Sequence, residues 1–397
     1  MKLEIHMRTL LLIVFFATAI AAKEEANYDE SKIPPYTLPD VLTTLDGKKI
    51  TSEKEWREVR RTEVLELFNT HVYGLSPGRP ENMTFKVVAE KPDALDGKAD
   101  GKQADITITK NAKTLTIRVN MFIPKQPRPA PAFLLICNRP PSNIDFSRET
   151  KSPFWPAEEI VARGYAAVAF YNADIDPDKD DGFKDGIHGL LDGDAPRAAD
   201  AWGTLAAWAW GASRVLDYLE TEPGIDAKRV AVIGHSRGGK TALWAAAQDE
   251  RFAISISNES GCGGASLSRR WYGETVSIIN TSFPHWFCSN FKKFNGKESE
   301  MPFDQHMLLA LMAPRAVYVA SAQDDRWADP KGEYLSLYHA GPVFELFGAK
   351  GLATDQSPPV ESPVYGDRVG YHIRPGKHDL TVYDWQRFMD FADRLKK

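Results

Sequence analysis

Val230-Ala231-Val232-Ile233-Gly234-His235-Ser236-Arg237-Gly238-Gly239-Lys240-Thr241 decides how the rest of the chain is read. Its first four residues form a short apolar run, rich in β-branched side chains, of the kind found in a strand covered on both faces. A glycine-rich turn follows, then the Ala-rich helix of residues 242–247. Two motifs share this junction. As G-x-S-x-G it is a nucleophile elbow, which lifts a serine hydroxyl above the end of a strand. As G-x-x-x-x-G-K-T it is a phosphate-binding loop. Both need a strand before and a helix after, so local context cannot choose between them.

Features further along the chain decide. Several strand-like runs precede this one, whereas phosphate loops usually end the first strand of their domain. A serine nucleophile needs an acid and a histidine, which in hydrolases with such an elbow follow in the order Ser, acid, His, each at a strand end. The run 316–320 ends in Gln323-Asp324-Asp325, and the run 253–257 ends in Asn258-Glu259, so both Glu259 and Asp325 qualify as the acid. Either could orient an imidazole and stabilise its protonated form. Of the later histidines, His339 falls inside the helical stretch 332–340 and His372 inside a strand-like run. His378 follows Pro375-Gly376-Lys377 and precedes a helix starting near Tyr383, the place for a mobile general base. The elbow reading with Ser236 and His378 is therefore preferred to nucleotide binding.

Working outward, residues 55–69 have helical apolar spacing, and 84–90, 104–108 and 114–122 alternate or run apolar like strands. Short apolar runs at 133–137 and 166–170 read as buried strands, and 202–219 as a long helix rich in Ala and Trp. Strands alternating with helices imply a mainly parallel sheet with helices on both faces, an α/β three-layer αβα sandwich. Trp202, Trp208, Trp210 and Trp244 read as core. The acidic stretch 174–181 lacks the spacing of a calcium loop and reads as a solvated loop.

Lys2 and Arg8 precede an apolar run over 10–22 that ends in small residues, the layout of a secretory signal peptide cleaved after Ala21. The run is short for a membrane span, which needs about 20 residues. A leader of residues 1–21 and one catalytic unit over 22–397 are expected, exported to the periplasm or the medium. The 397 residues include 49 basic and 54 acidic ones, a net charge of −5, and no basic run, so no nucleic-acid partner is expected. Three cysteines, Cys137, Cys262 and Cys288, show no zinc spacing. Cys137 lies in an apolar run, and Cys262 with Cys288, both in loops rich in Gly and aromatics, is the favoured pair if a disulfide forms.

Beyond the elbow, the chain resembles the glucuronoyl esterases, a carbohydrate esterase family of the α/β-hydrolase fold, in its bacterial type. The resemblance rests on Gly-His-Ser-Arg-Gly-Gly-Lys (234–240), Asn-Glu-Ser-Gly-Cys-Gly-Gly (258–264), Ser-Arg-Arg-Trp-Tyr-Gly-Glu (268–274), Phe-Pro-His-Trp-Phe (283–287), Asp-Arg-Trp-Ala-Asp-Pro (325–330) and Gly-Lys-His (376–378). It implies a monomeric serine esterase, without metal or cofactor and with no membrane partner. Its substrate would be the ester between (4-O-methyl)glucuronic acid of glucuronoxylan and a lignin alcohol. By position it makes Ser236 the nucleophile, His378 the base, Glu259 and Asp325 the acids and Arg237 the oxyanion donor. Lys240, Glu274 and Trp327 would bind the sugar acid. The residues alone also admit another ester of the same fold, such as acetylated xylan.

Overall fold

The computed structural model describes residues 25–193 and 196–395. The expected leader lies outside them. The strands are β1 (Met83–Asp93), β2 (Ala99–Lys110), β3 (Lys113–Pro124), β4 (Ala130–Cys137), β5 (Ala166–Tyr171), β6 (Ile225–His235), β7 (Ile254–Asn258), β8 (Ala316–Ala322), β9 (Val364–Tyr365) and β10 (Val369–Arg374). They form one ten-stranded sheet in the order β1-β2-β3-β5-β4-β6-β7-β8-β10-β9. From β5 across to β10 every pair is parallel, while β1, β2 and β3 form an antiparallel flank joined to β5 and β9 closes the far edge antiparallel.

Alternation along the central strands explains why both faces are covered. In β4, Leu134 and Ile136 enter one apolar cluster with Leu205, Leu216 and Leu243. Phe133, Leu135 and Cys137 point the other way, into a second cluster with Ile160, Trp385 and Phe388. One face is thus packed by helices Thr204–Leu219 and Arg237–Gln248, the other by Ala157–Ala162 and Val382–Arg394. This is the α/β-hydrolase fold. Trp202, Trp208, Trp210 and Trp244 are at most 4% exposed, as expected of core residues. Among the described residues no helix is long and apolar enough to cross a membrane.

Two expectations need correction. Cys262 and Cys288 are not paired: all three cysteines are free and buried. The Phe287 ring packs against Gly263, and the Cys288 thiol turns to the Thr70 carbonyl. The acidic stretch 174–181 is solvated only in part. Asp176 is buried, bonded to His188 and Thr204, and the Asp178 side chain is drawn inward by partners described below.

Candidate active site

The carboxyl ends of β6, β7 and β8 and the loop after β10 converge on one cavity of about 300 Å³, lined in part by Ser236, Glu259, Asp325 and His378. Ser236 occupies the turn between β6 and helix Arg237–Gln248, with φ 58° and ψ −125°. A non-glycine residue at positive φ is strained, and such strain concentrates at functional turns. Only glycine fits at Gly234, where a Cβ would lie 2.0 Å from the Gly238 carbonyl oxygen. The turn is fixed by the Ser236 amide donating to Asn258 O at 2.9 Å and the Gly239 amide donating to Ser236 O at 2.9 Å. Arg237 and Gly238 therefore open the helix, where backbone N–H groups and the helix dipole favour negative charge.

Both expected acids reach the same imidazole nitrogen. His378 Nδ1 lies 2.6 Å from Asp325 Oδ2 and 3.2 Å from Glu259 Oε2. Burial opposes a charged imidazole, but hydrogen bonds to Asp325 and Glu259 outweigh it and push His378 up to about 9. Glu259 is 1% exposed, and burial pushes its carboxyl up to about 7 against the pull of His378 and Arg374. Its Oε1 accepts from Arg374 at 2.6 Å and its Oε2 from the Asp379 amide at 3.0 Å. With Nδ1 engaged, Nε2 is the ring nitrogen left to exchange a proton with a substrate or nucleophile.

Glu259, Asp325 and His378 also form the one group among the described residues whose ligand atoms, all within 4.8 Å, could hold a metal ion. A cation there would compete with the N–H that Nδ1 offers both carboxylates and would face the Arg374 guanidinium on Glu259. The donor set suits an imidazole–carboxylate pair better than a metal.

Lys240, Glu274 and Trp327 line the same cavity. Lys240 is 4% exposed, its ammonium donating to the Ser260 carbonyl and lying 3.7 Å from Glu274 Oε2. Burial raises the Glu274 carboxyl, opposed by the Lys240 charge and a hydrogen bond from Trp327. Trp327 is 42% exposed, so its ring is open at the cavity rim. A buried ammonium, a buried carboxylate and an exposed indole together offer donors, an acceptor and a stacking face to a polar ring.

Several residues escaped the sequence reading. Asp178, beyond β5, bonds the Arg237 guanidinium, and its Oδ1 lies 2.7 Å from Trp286 Nε1 and 3.0 Å from His285 Nε2. Arg374, at the end of β10, clasps Glu259 and the Lys377 and Asp379 carbonyls. Glu333 accepts from the Ser260 and Gly261 amides beneath the Glu259 loop, and burial pushes it up to about 8. The Phe-Pro-His-Trp-Phe motif was the only signal for part of this set, since it brings Phe283 and Trp286 to the cavity wall.

Comparison with known proteins gives consistent matches. A family model described as glucuronyl esterase, fungi, matches residues 106–348. Carbohydrate esterase MZ0003, from an unknown prokaryotic organism, is 41% identical over 429 residues, covering 97% of this chain and 98% of its own. A 4-O-methyl-glucuronoyl methylesterase from Podospora anserina is 31% identical, covering 79% of this chain and 60% of its own. Among solved structures, a glucuronoyl esterase from Solibacter usitatus has a TM-score of 0.87 at 44% identity, covering 92% of this chain and 100% of that one.

Proposed function

This chain belongs to the glucuronoyl esterase family and is a carboxylic ester hydrolase acting on glucuronic acid esters; from that premise we propose that it cleaves the ester between (4-O-methyl)glucuronic acid of glucuronoxylan and a lignin alcohol through an acyl-enzyme on Ser236. The observation that carries this reading is the meeting, in one cavity, of a serine on a strained strand–helix turn, an imidazole with two carboxylates, and a buried Lys240–Glu274 pair.

In this mechanism His378 Nε2 takes the Ser236 hydroxyl proton as Oγ attacks the uronoyl carbonyl. The oxyanion of the tetrahedral intermediate is held by the amides that open helix Arg237–Gln248 and by the Arg237 guanidinium. As the intermediate collapses, the imidazolium returns its proton to the departing alcohol, leaving the acyl-enzyme. Water, deprotonated by the same imidazole, then releases the free acid. Asp325 and Glu259 hold the imidazole orientation and stabilise its charge. Lys240, Glu274 and Trp327 hold the sugar ring. The acyl half of an acetyl ester offers no hydroxyls to Lys240 and Glu274, which favours a uronoyl ester over acetylated xylan. The leader-like stretch 1–21 supports export, and a monomer is the proposed form.

The test is release of free acid from benzyl glucuronate, methyl glucuronate and methyl 4-O-methyl-glucuronate. Turnover should vanish in Ser236→Ala and weaken through KM in Glu274→Ala. Full activity of Glu274→Ala, with acetylated xylan as the better substrate, would replace this reading with the acetyl-ester one.

A further inference from the structure

One part of the cavity wall, Arg237 with Phe283 and Trp286, is organised by a carboxylate that neither the acid–base group nor the sugar-binding residues use. Asp178 leaves the sheet in the loop after β5, and its side chain is 24% exposed. One of its oxygens, Oδ2, takes the Arg237 guanidinium, and the other takes Trp286 Nε1 and His285 Nε2. The guanidinium carbon then lies 4.8 Å from the Trp286 ring centroid and 5.6 Å from that of Phe283. The Arg237 Nε–H is buried without a hydrogen-bond partner. Arg237, the residue after Ser236, thus has one terminal nitrogen tied to a carboxylate, aromatic rings beside it and a buried Nε–H without a partner.

Resting on the proposed oxyanion role of Arg237, we infer that Asp178 is a positioning residue that fixes the Arg237 guanidinium and the Trp286–His285 wall before substrate binds. An arginine side chain is rotamer-rich, and oxyanion stabilisation depends on donors already in place when charge develops. A charge-assisted bond to a carboxylate, with an indole against the cation, supplies that order. Burial opposes ionisation of Asp178, but His285, Trp286 and the Arg237 charge hold its carboxyl at about 2, so the carboxylate is charged at neutral pH. The same carboxylate places Trp286, so the shape of the cavity and the placement of the charge are set together.

The experiment measures kcat and KM separately on benzyl glucuronate, with melting temperatures, for Asp178→Asn, Asp178→Ala, Arg237→Ala and the double variant Asp178→Ala/Arg237→Ala. Asn keeps an acceptor for Trp286 but loses the ion pair, so Asp178→Asn should lower kcat about tenfold with KM within about twofold. Asp178→Ala should approach the loss in Arg237→Ala, about 100-fold, and should cost no more than about twofold when Arg237 is already alanine. Equal losses in both backgrounds would overturn the inference. So would an effect on KM or melting temperature alone. A slow Arg237→Ala beside Asp178 variants of parental kcat removes the role of Asp178 and leaves that of Arg237. An Arg237→Ala of parental kcat removes both.

Discussion

Two histidines six positions apart each face an aspartate, and only one of them sits in a cavity. His372, on β10, is fully buried, with Nε2 2.8 Å from Asp384 Oδ1 and Nδ1 3.1 Å from the Tyr318 hydroxyl. His378, on the following loop, is bonded to Asp325 and Glu259 and has a side chain 39% exposed. Arg374 stands between the two, its Nε donating to Asp384 and its Nη2 to Glu259. Burial drives the His372 imidazole below its ordinary value, whereas two carboxylates drive His378 up to about 9. A histidine–carboxylate pair is therefore not in itself a catalytic feature. One pair locks the end of β10 to helix Val382–Arg394. The other keeps a ring nitrogen facing the cavity.

Replacing each histidine by alanine breaks the comparison most directly. His378→Ala should lower kcat by about 10⁴-fold or more, since a serine without its base is a poor nucleophile, and its cost in stability should fade as pH rises through about 9. His372→Ala should leave kcat within about tenfold but destabilise the fold by about 1–3 kcal/mol, because Asp384 and Tyr318 lose a buried partner. Turnover on benzyl glucuronate and urea midpoints would decide. A large kcat loss in His372→Ala with unchanged stability would dissolve the distinction.

The second prediction separates the two carboxylates on His378. The neutral imidazole is the working base, so the acidic limb of kcat/KM against pH reports the His378 proton. Removing either negative charge lowers that affinity and moves the limb to lower pH. Asp325 is the nearer, so Asp325→Asn should shift the limb further and lower kcat about 100-fold. Glu259→Gln should shift it less while costing more stability, because Arg374 loses a buried counter-ion. A larger shift from Glu259→Gln would reverse the ranking.

How far the sequence foreshadowed this arrangement depends on the range of the interactions. The buried strands announced themselves as continuous apolar runs because both of their faces are covered. Ser236, Glu259, Asp325 and His378 were legible because the fold puts each just past a strand end, and strand ends can be read locally. The choice between the acids could not be made there: it rests on 2.6 Å against 3.2 Å at one nitrogen. Asp178 was hidden inside an acidic stretch that looks solvated, and its partner Arg237 is 59 positions away. Nothing in the sequence singles out Arg374 or Glu333. Their roles come from backbone carbonyls and amides that only the folded loops bring to them. The cysteine pairing failed for the same reason, since Phe287 and the Thr70 carbonyl decide where the Cys288 thiol turns.

The smallest expected effect is also the sharpest contrast, because the two histidines should give pH dependences of stability with opposite sign. His378 binds its proton more tightly folded than unfolded. Its contribution is complete below the ordinary histidine value of about 6.5 and is lost as pH rises through about 9. His372 binds its proton less tightly when folded, so its contribution is complete above about pH 6.5 and is lost as pH falls below that value. Urea midpoints of the parent, His378→Gln and His372→Gln across this range isolate each term. The gap between parent and His378→Gln should narrow on going alkaline, and the gap between parent and His372→Gln should narrow on going acidic. Gaps that narrow in the same direction would mean that both imidazoles respond to the shared Arg374 network as one unit, and that the cavity does not set them apart.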